Sequence, residues 1–287
     1  VVYYPSALQK QLLHAIHHAA HAAAQMRAEG AMDARADVRL GYVIDRLSDT
    51  ALIAGVPAAA VHFERLAGER GRDWGDHPVY HSDDYADRDA HLRRFGARLG
   101  TLHDLVVLHA VVESTGLMTG ADGAALRGNM ATGLSVRWQV LGAAGHCLRL
   151  TDKEITQIWS GSDRHISMRT NELAELRGSQ LGARYLPVAK GDHQYDALVL
   201  QVMSESGVTH SDLTRVMRRT PDQIIAATRT QLETLSTAEH PDTALSVGQA
   251  VLATRTGFAD IPAAENGPPE VIAPPEVSME VVGYDPA

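Results

Sequence analysis

Residues 150–166 read LTDKEITQIWSGSDRHI, and residues 208–224, 58 positions later, read VTHSDLTRVMRRTPDQI. Thr151/Thr209, Thr156/Thr214 and Ile166/Ile224 are identical pairs. Leu150/Val208, Ile155/Leu213, Ile158/Val216 and Trp159/Met217 keep the apolar positions, and Glu154/Asp212 and Ser162/Thr220 keep chemical type. Such a duplication is one supersecondary unit used twice. In each copy a threonine caps a short helix, and Ile155 with Trp159, or Leu213 with Met217, lies one turn apart on its inner side. Thr156 or Thr214 stands where two helices would approach closely. A short turn follows, and Asp163 or Pro221 opens a second helix whose Ile166 or Ile224 points inward.

Downstream of the first copy, residues 178–191 read as two short strand candidates around glycine and proline turns, a hairpin carrying Arg184 and Lys190. On these residues, 136–191 resembles the winged helix-turn-helix family, and 196–235 resembles a second copy without a clear wing. The resemblance implies double-stranded DNA as the partner. Arg164, His165, Arg169 and Asn171, and in the second copy Asp222, Gln223, Ala226 and Arg229, would face a major groove. There arginine pairs with guanine and Asn or Gln with adenine. Arg184, Lys190, Arg215, Arg218 and Arg219 would hold phosphates. Glu172 and Glu175 on the first recognition helix, and the absence of glycine from the second turn, depart from the pattern. Winged helices also dock proteins, so a protein-docking adaptor is the alternative reading.

Upstream, the chain reads as an N-terminal helical bundle over 1–118. Leu8, Leu12, Leu13, Ile16, Ala19, Ala20, Ala23 and Met26 share one face of a helix from Pro5 to Glu29. Further helices are expected over 33–54 and 58–69, with Gly55 as the break, and a loop over 70–86. From about Asp87, Leu92, Phe95, Leu99, Leu102 and Val106 repeat at 3–4 spacing, a seam that packs on another helix of this chain or of a second copy. The expected fold is mainly α: the bundle, a winged-helix-like unit over 119–194, a second helix-turn-helix-like unit over 195–240, and an extended tail over 241–287. Homo-oligomerisation through the N-terminal helices is expected.

The composition agrees. Only 5% of the 287 residues are aromatic, so Ala, Leu, Val and Ile must build closely packed helices. The single cysteine, Cys147, excludes a disulfide framework, and no membrane-length apolar run or leader pattern is visible, which predicts a cytoplasmic protein. The net charge of −9 argues against nucleic acid, but residues 251–287 carry one Arg against six acids, so the body is nearly balanced. Six of the twelve prolines lie beyond residue 256, and Pro-Pro-Glu-Val recurs at 268–271 and 274–277, which predicts an extended acidic tail.

Signals for chemistry are sparse, and neither catalysis nor a cofactor is expected. His14, His17, His18 and His21 sit opposite the apolar stripe of the first helix at i,i+4 metal-ligand spacing, but no acid joins them on that helix. They are weak metal candidates on a solvated face. The segment 76–84, DHPVYHSDD, and the doublet His103-Asp104 resemble, in residue type only, helical metal phosphohydrolases of the His-Asp type, a third reading. No Walker-type, GxGxxG or GxSxG sequence occurs. Cys147 beside His146 points away from it on a helix and reads as a buried structural thiol.

Overall fold

The computed structural model describes residues 2–75, 80–81, 88–191, 193–205 and 207–239. The predicted tail, and most of the 76–84 segment, therefore lie outside the described residues. Eleven helices are formed among the described residues, with one pair of two-residue strands.

Strand β1 (Val2–Tyr3) pairs antiparallel with β2 (Tyr80–His81), Tyr3 opposite Tyr80. Helix α1 (Ala7–Ala28) starts at Ser6, whose hydroxyl accepts from Gln9 N while Gln9 Oε1 accepts from Ser6 N, a reciprocal cap. The same Gln9 donates through Nε2 to Ala54 O at the end of α2 (Ala34–Ile53), tying two helix termini together. Helix α3 (Ala58–Glu69) lies so close to α1 that a Cβ at Gly68 would run into the backbone oxygen of His17.

The long helices α4 (Arg88–Ser114) and α5 (Gly120–Cys147) form the central pair. Both contact α2 and α8 (Gly178–Ala189), and α4 also carries α7 (Ser162–Ala174). The predicted seam closes inside this chain. Phe95, Leu99, Leu102 and Val106 are buried, and each is worth roughly 1.5–3 kcal/mol of transfer free energy. Among the described residues α4 alone has the length and apolar composition of a membrane span, and most of that stretch is covered by the other helices. Helix α5 supports α9 (Gln194–Ser204) and α10 (His210–Val216). The approach of α10 requires glycine: a Cβ on Gly145 would meet Val216 Cγ1 at 2.6 Å and Phe95 Cε2 at 2.7 Å. Helices α6 (Asp152–Trp159) and α11 (Pro221–Glu239) complete the body. Residues 1–238 form one compact unit, with a continuous core running through the 1–118, 119–194 and 195–238 segments.

The two strands expected over 178–191 are helix α8 instead. Leu181, Tyr185 and Ala189 recur every four residues and are buried, so the stretch has a helical core stripe that its glycines and proline disguised. Pro187 sits in the last turn, where its missing N–H costs one hydrogen bond rather than a strand ladder. The strand pair that does form joins the N-terminus to the 70–86 region, which reads as loop in sequence.

Candidate functional site

Both copies of the repeat fold as the duplication predicts, a short capped helix, a turn and a longer helix. In α6 the Thr151 backbone N–H donates to Glu154 at 2.8 Å and the Thr151 hydroxyl accepts from Glu154 N. Thr209 and Asp212 repeat the arrangement in α10. Arg88 clamps the first cap. It donates to both oxygens of Glu154 at 2.8 Å and to Leu148 O at the end of α5, which holds the Glu154 carboxyl down to about 2. The copies are tied together: Trp159 Nε1 donates to Val216 O at 3.0 Å, and Gln231 on α11 donates to Ser167 Oγ and to Asn171 Oδ1 on α7. Thr156 and Thr214 are exposed, so close helix approach falls to the glycines of α5 and not to them.

Most of the residues predicted to contact DNA are engaged within the protein. On α7, His165 and Arg169 both reach Asp104 of α4, at 3.0 and 3.3 Å, and Arg169 also meets Glu172. Asn171 accepts from Gln231. Arg184 lies on α8, 3.6 Å from Glu172. Arg215 pairs with Asp152 at 3.2 Å, Arg219 with Asp163 at 2.6 Å, and Arg229 with Glu113 at 2.7 Å, while Arg218 donates to the Thr156 hydroxyl. Gln223 is spent on a cap, accepting from Thr220 N while donating its own N–H to the Thr220 hydroxyl. Arg164 and Lys190 are exposed and have no acidic partner among the described residues. Asp222 and Ala226 are exposed on the N-terminal half of α11.

The histidines of α1 part company. His14 and His18 are exposed, whereas His17 is buried and its Nδ1 meets Glu64 Oε2 of α3 at 2.9 Å. The acid missing from α1 is supplied by another helix, and His17 is not part of a solvated face. His17 Nε2 donates to Arg72 O, and Tyr80 donates to the other Glu64 oxygen at 2.7 Å. Burial and the neighbouring Glu64 carboxylate push the Tyr80 phenol far up. Burial, then the charges of His18 and His17, lower the pKa of His14. No group of three or more His, Cys, Asp or Glu side chains with metal-binding geometry occurs among the described residues. Asp76, His77, Pro78, Val79, Ser82, Asp83 and Asp84 lie outside them.

In the remaining doublet, Asp104 is bound to His165 and Arg169, while His103 is buried against Trp159 with its pKa pushed down to about 4 by burial and then by the charge of His165. Cys147 is buried with its Sγ 3.5 Å from Ser6 Oγ, and burial raises its pKa, as suits a structural thiol.

One concavity escapes every sequence pattern. Arg46 (α2), Arg98 (α4), Arg137 (α5) and Asp196 (α9) converge on the mouth of a cleft of about 240 Å³ with a floor of Ile53, Leu102, Leu105, Val140, Leu141 and Ala144. Asp196 receives Arg46 on one oxygen at 2.7 Å and Arg137 Nε on the other at 3.0 Å, and Arg98 holds Asp49 at 2.7 Å. These side chains are up to 150 positions apart in sequence, and no short spacing could have flagged them. No protein-family model, curated protein or solved structure matches the chain.

Proposed function

We propose that this chain is a non-catalytic protein that contacts duplex DNA through its second helix-turn-helix, α10–α11. The observation that carries the reading is the outward N-terminal half of α11, with Asp222, Ala226 and Thr230 exposed, preceded by Arg215, Arg218 and Arg219. Helix α7 is the poorer reader, because Gln231 occupies Ser167 and Asn171 on the face a groove would need. The partners of Arg215 and Arg218 are Asp152, whose side chain is 86% exposed, and a hydroxyl. Exposed pairs of this kind are worth about 0–1 kcal/mol, so a DNA phosphate displaces them at little cost. With Gln223 committed to its cap, few side chains remain for base edges, and affinity rests on the phosphates.

The test is fluorescence anisotropy with a random-sequence duplex at low and moderate salt. Engagement of three arginines gives a slope of log K against log salt near about −3, and Arg218→Ala lowers its magnitude by about 1. Deleting residues 256–287, with their six acidic side chains, raises the affinity. Failure of both the full chain and the shortened one to bind at low salt overturns the reading. A second reading, a protein-docking adaptor, is favoured by the internally neutralised face of α7, where Met168 is 63% exposed beside the Arg169–Glu172 pair.

A further inference from the structure

We propose that the cleft between α2, α4, α5 and α9 is a binding site for a small amphipathic monocarboxylate, its apolar body on the floor and its carboxylate at the arginine rim. Ile53, Leu102, Leu105, Val140, Leu141 and Ala144, from three helices, give the cleft its aliphatic surface, with Thr50 and Thr101 as the uncharged polar side chains of the lining. A volume of about 240 Å³ is just below the usual range of ligand pockets and suits a small molecule rather than a helix or strand of a partner.

The rim sets the charge of the occupant. Three guanidinium groups, of Arg46, Arg98 and Arg137, face two carboxylates, of Asp49 and Asp196, which leaves one positive charge in excess. Both oxygens of Asp196 are taken, and its side chain is only 11% exposed, so its charge at the rim is neutralised by Arg46 and Arg137. Arg46 and Arg137 each spend one N–H on Asp196, and Arg98 binds Asp49 through a single nitrogen. Donors on all three therefore remain for a further acceptor, and a guanidinium fork matches a planar carboxylate. One excess charge beside an apolar floor selects a monoanion with a hydrocarbon or aryl body over a multiply charged phosphate. Outside the cleft lining, Arg46 also lies 6.0 Å over the Tyr42 ring, and Tyr42 packs on Tyr195 at 5.1 Å, contacts that steady the Arg46 side chain.

The experiment is calorimetric titration of the full chain with octanoate and with 2-naphthoate, using octan-1-ol and octylamine as neutral and cationic controls. One saturable site for at least one of the two carboxylates is expected, with octan-1-ol weaker by about tenfold or more and octylamine not bound. Arg98→Gln weakens carboxylate binding by about tenfold or more and leaves the weak octan-1-ol affinity unchanged. Val140→Trp, which fills the cleft from a half-buried position on its floor, abolishes binding of both carboxylates. Thermal melting confirms that each variant is folded, and Leu105→Trp on α4 replaces Val140→Trp if that variant does not fold. Absence of binding by both carboxylates, equal affinity for octan-1-ol, or unchanged binding in folded Arg98→Gln or in the folded filled-cleft variant overturns the assignment. None of these readouts involves DNA, so the site and the proposed DNA contact stand or fall separately.

Discussion

Replacing Glu64 with alanine removes the centre of a buried polar network formed with His17 and Tyr80. Glu64 is 2% exposed, accepts from Tyr80 at 2.7 Å and meets His17 at 2.9 Å, and those partners are each 4% exposed. The loss strands a phenol and an imidazole nitrogen in the interior, where each orphaned group costs about 1–3 kcal/mol and breaking a buried charge-bearing pair costs about 3–5 kcal/mol. The expected loss is about 3–5 kcal/mol, a large part of the roughly 5–15 kcal/mol that stabilises a folded chain. For a unit of this size, that lowers the melting temperature by roughly 6 to 20 °C. Urea unfolding at neutral pH is the assay, with an unchanged m value showing that stability and not the denatured state has moved. Adding Tyr80→Phe to Glu64→Ala should cost less than in the native background, with a coupling of about 0.5–3 kcal/mol. A Glu64→Ala variant that loses less than about 1 kcal/mol refutes the argument, because the network would then be an incidental contact.

Two further outcomes test the packing and the acid response. Gly68→Ala should destabilise by about 1–3 kcal/mol or more, because its methyl meets the His17 carbonyl, whereas Gly100→Ala, with open space around it inside α4, should stabilise by about 0.5–1 kcal/mol; urea midpoints of the two must shift in opposite directions. The pKa of His103 is lowered from 6.5 to about 4 by burial and then by the charge of His165, with Asp104, Arg219 and Asp163 as the other charges acting on it. Between those values the unfolded chain binds the extra proton, so this contribution is fully present above pH 6.5 and is lost as the pH falls towards 4. Burial lowers the pKa of His109 as well and adds to the same slope. Folded His103→Leu should show a shallower loss of urea stability between pH 6.5 and 4, and an identical slope would contradict the burial argument.

Local order was legible in the chain because it depends on neighbours a few residues apart. The seam at Phe95, Leu99, Leu102 and Val106, the Ser6 start of α1, the Thr151 and Thr209 caps and the Gly55 break all follow from helical periodicity and capping chemistry. Those signals determined a mainly helical fold and, at 150–174 and 208–239, the repeated order of a short capped helix followed by a longer one. They misread 178–191, where glycine and proline look like turn markers although Leu181, Tyr185 and Ala189 keep a helical stripe. The fate of the candidate DNA residues was not legible, because it depends on which carboxylates other helices bring: Asp104 to Arg169, Glu113 to Arg229, Asp163 to Arg219.

Most helix starts, and the apolar face of each helix, are therefore readable from residue order, since both are matters of spacing along one chain segment. The burial of His17 on Glu64, the hydrogen bonds of Gln231 to α7, and the meeting of Arg46, Arg98, Arg137 and Asp196 at one cleft come from packing between distant helices. Long-range pairing is set by how the central helices α4 and α5 pack, and the convergence of side chains up to 150 positions apart leaves no periodic trace in the order of residues.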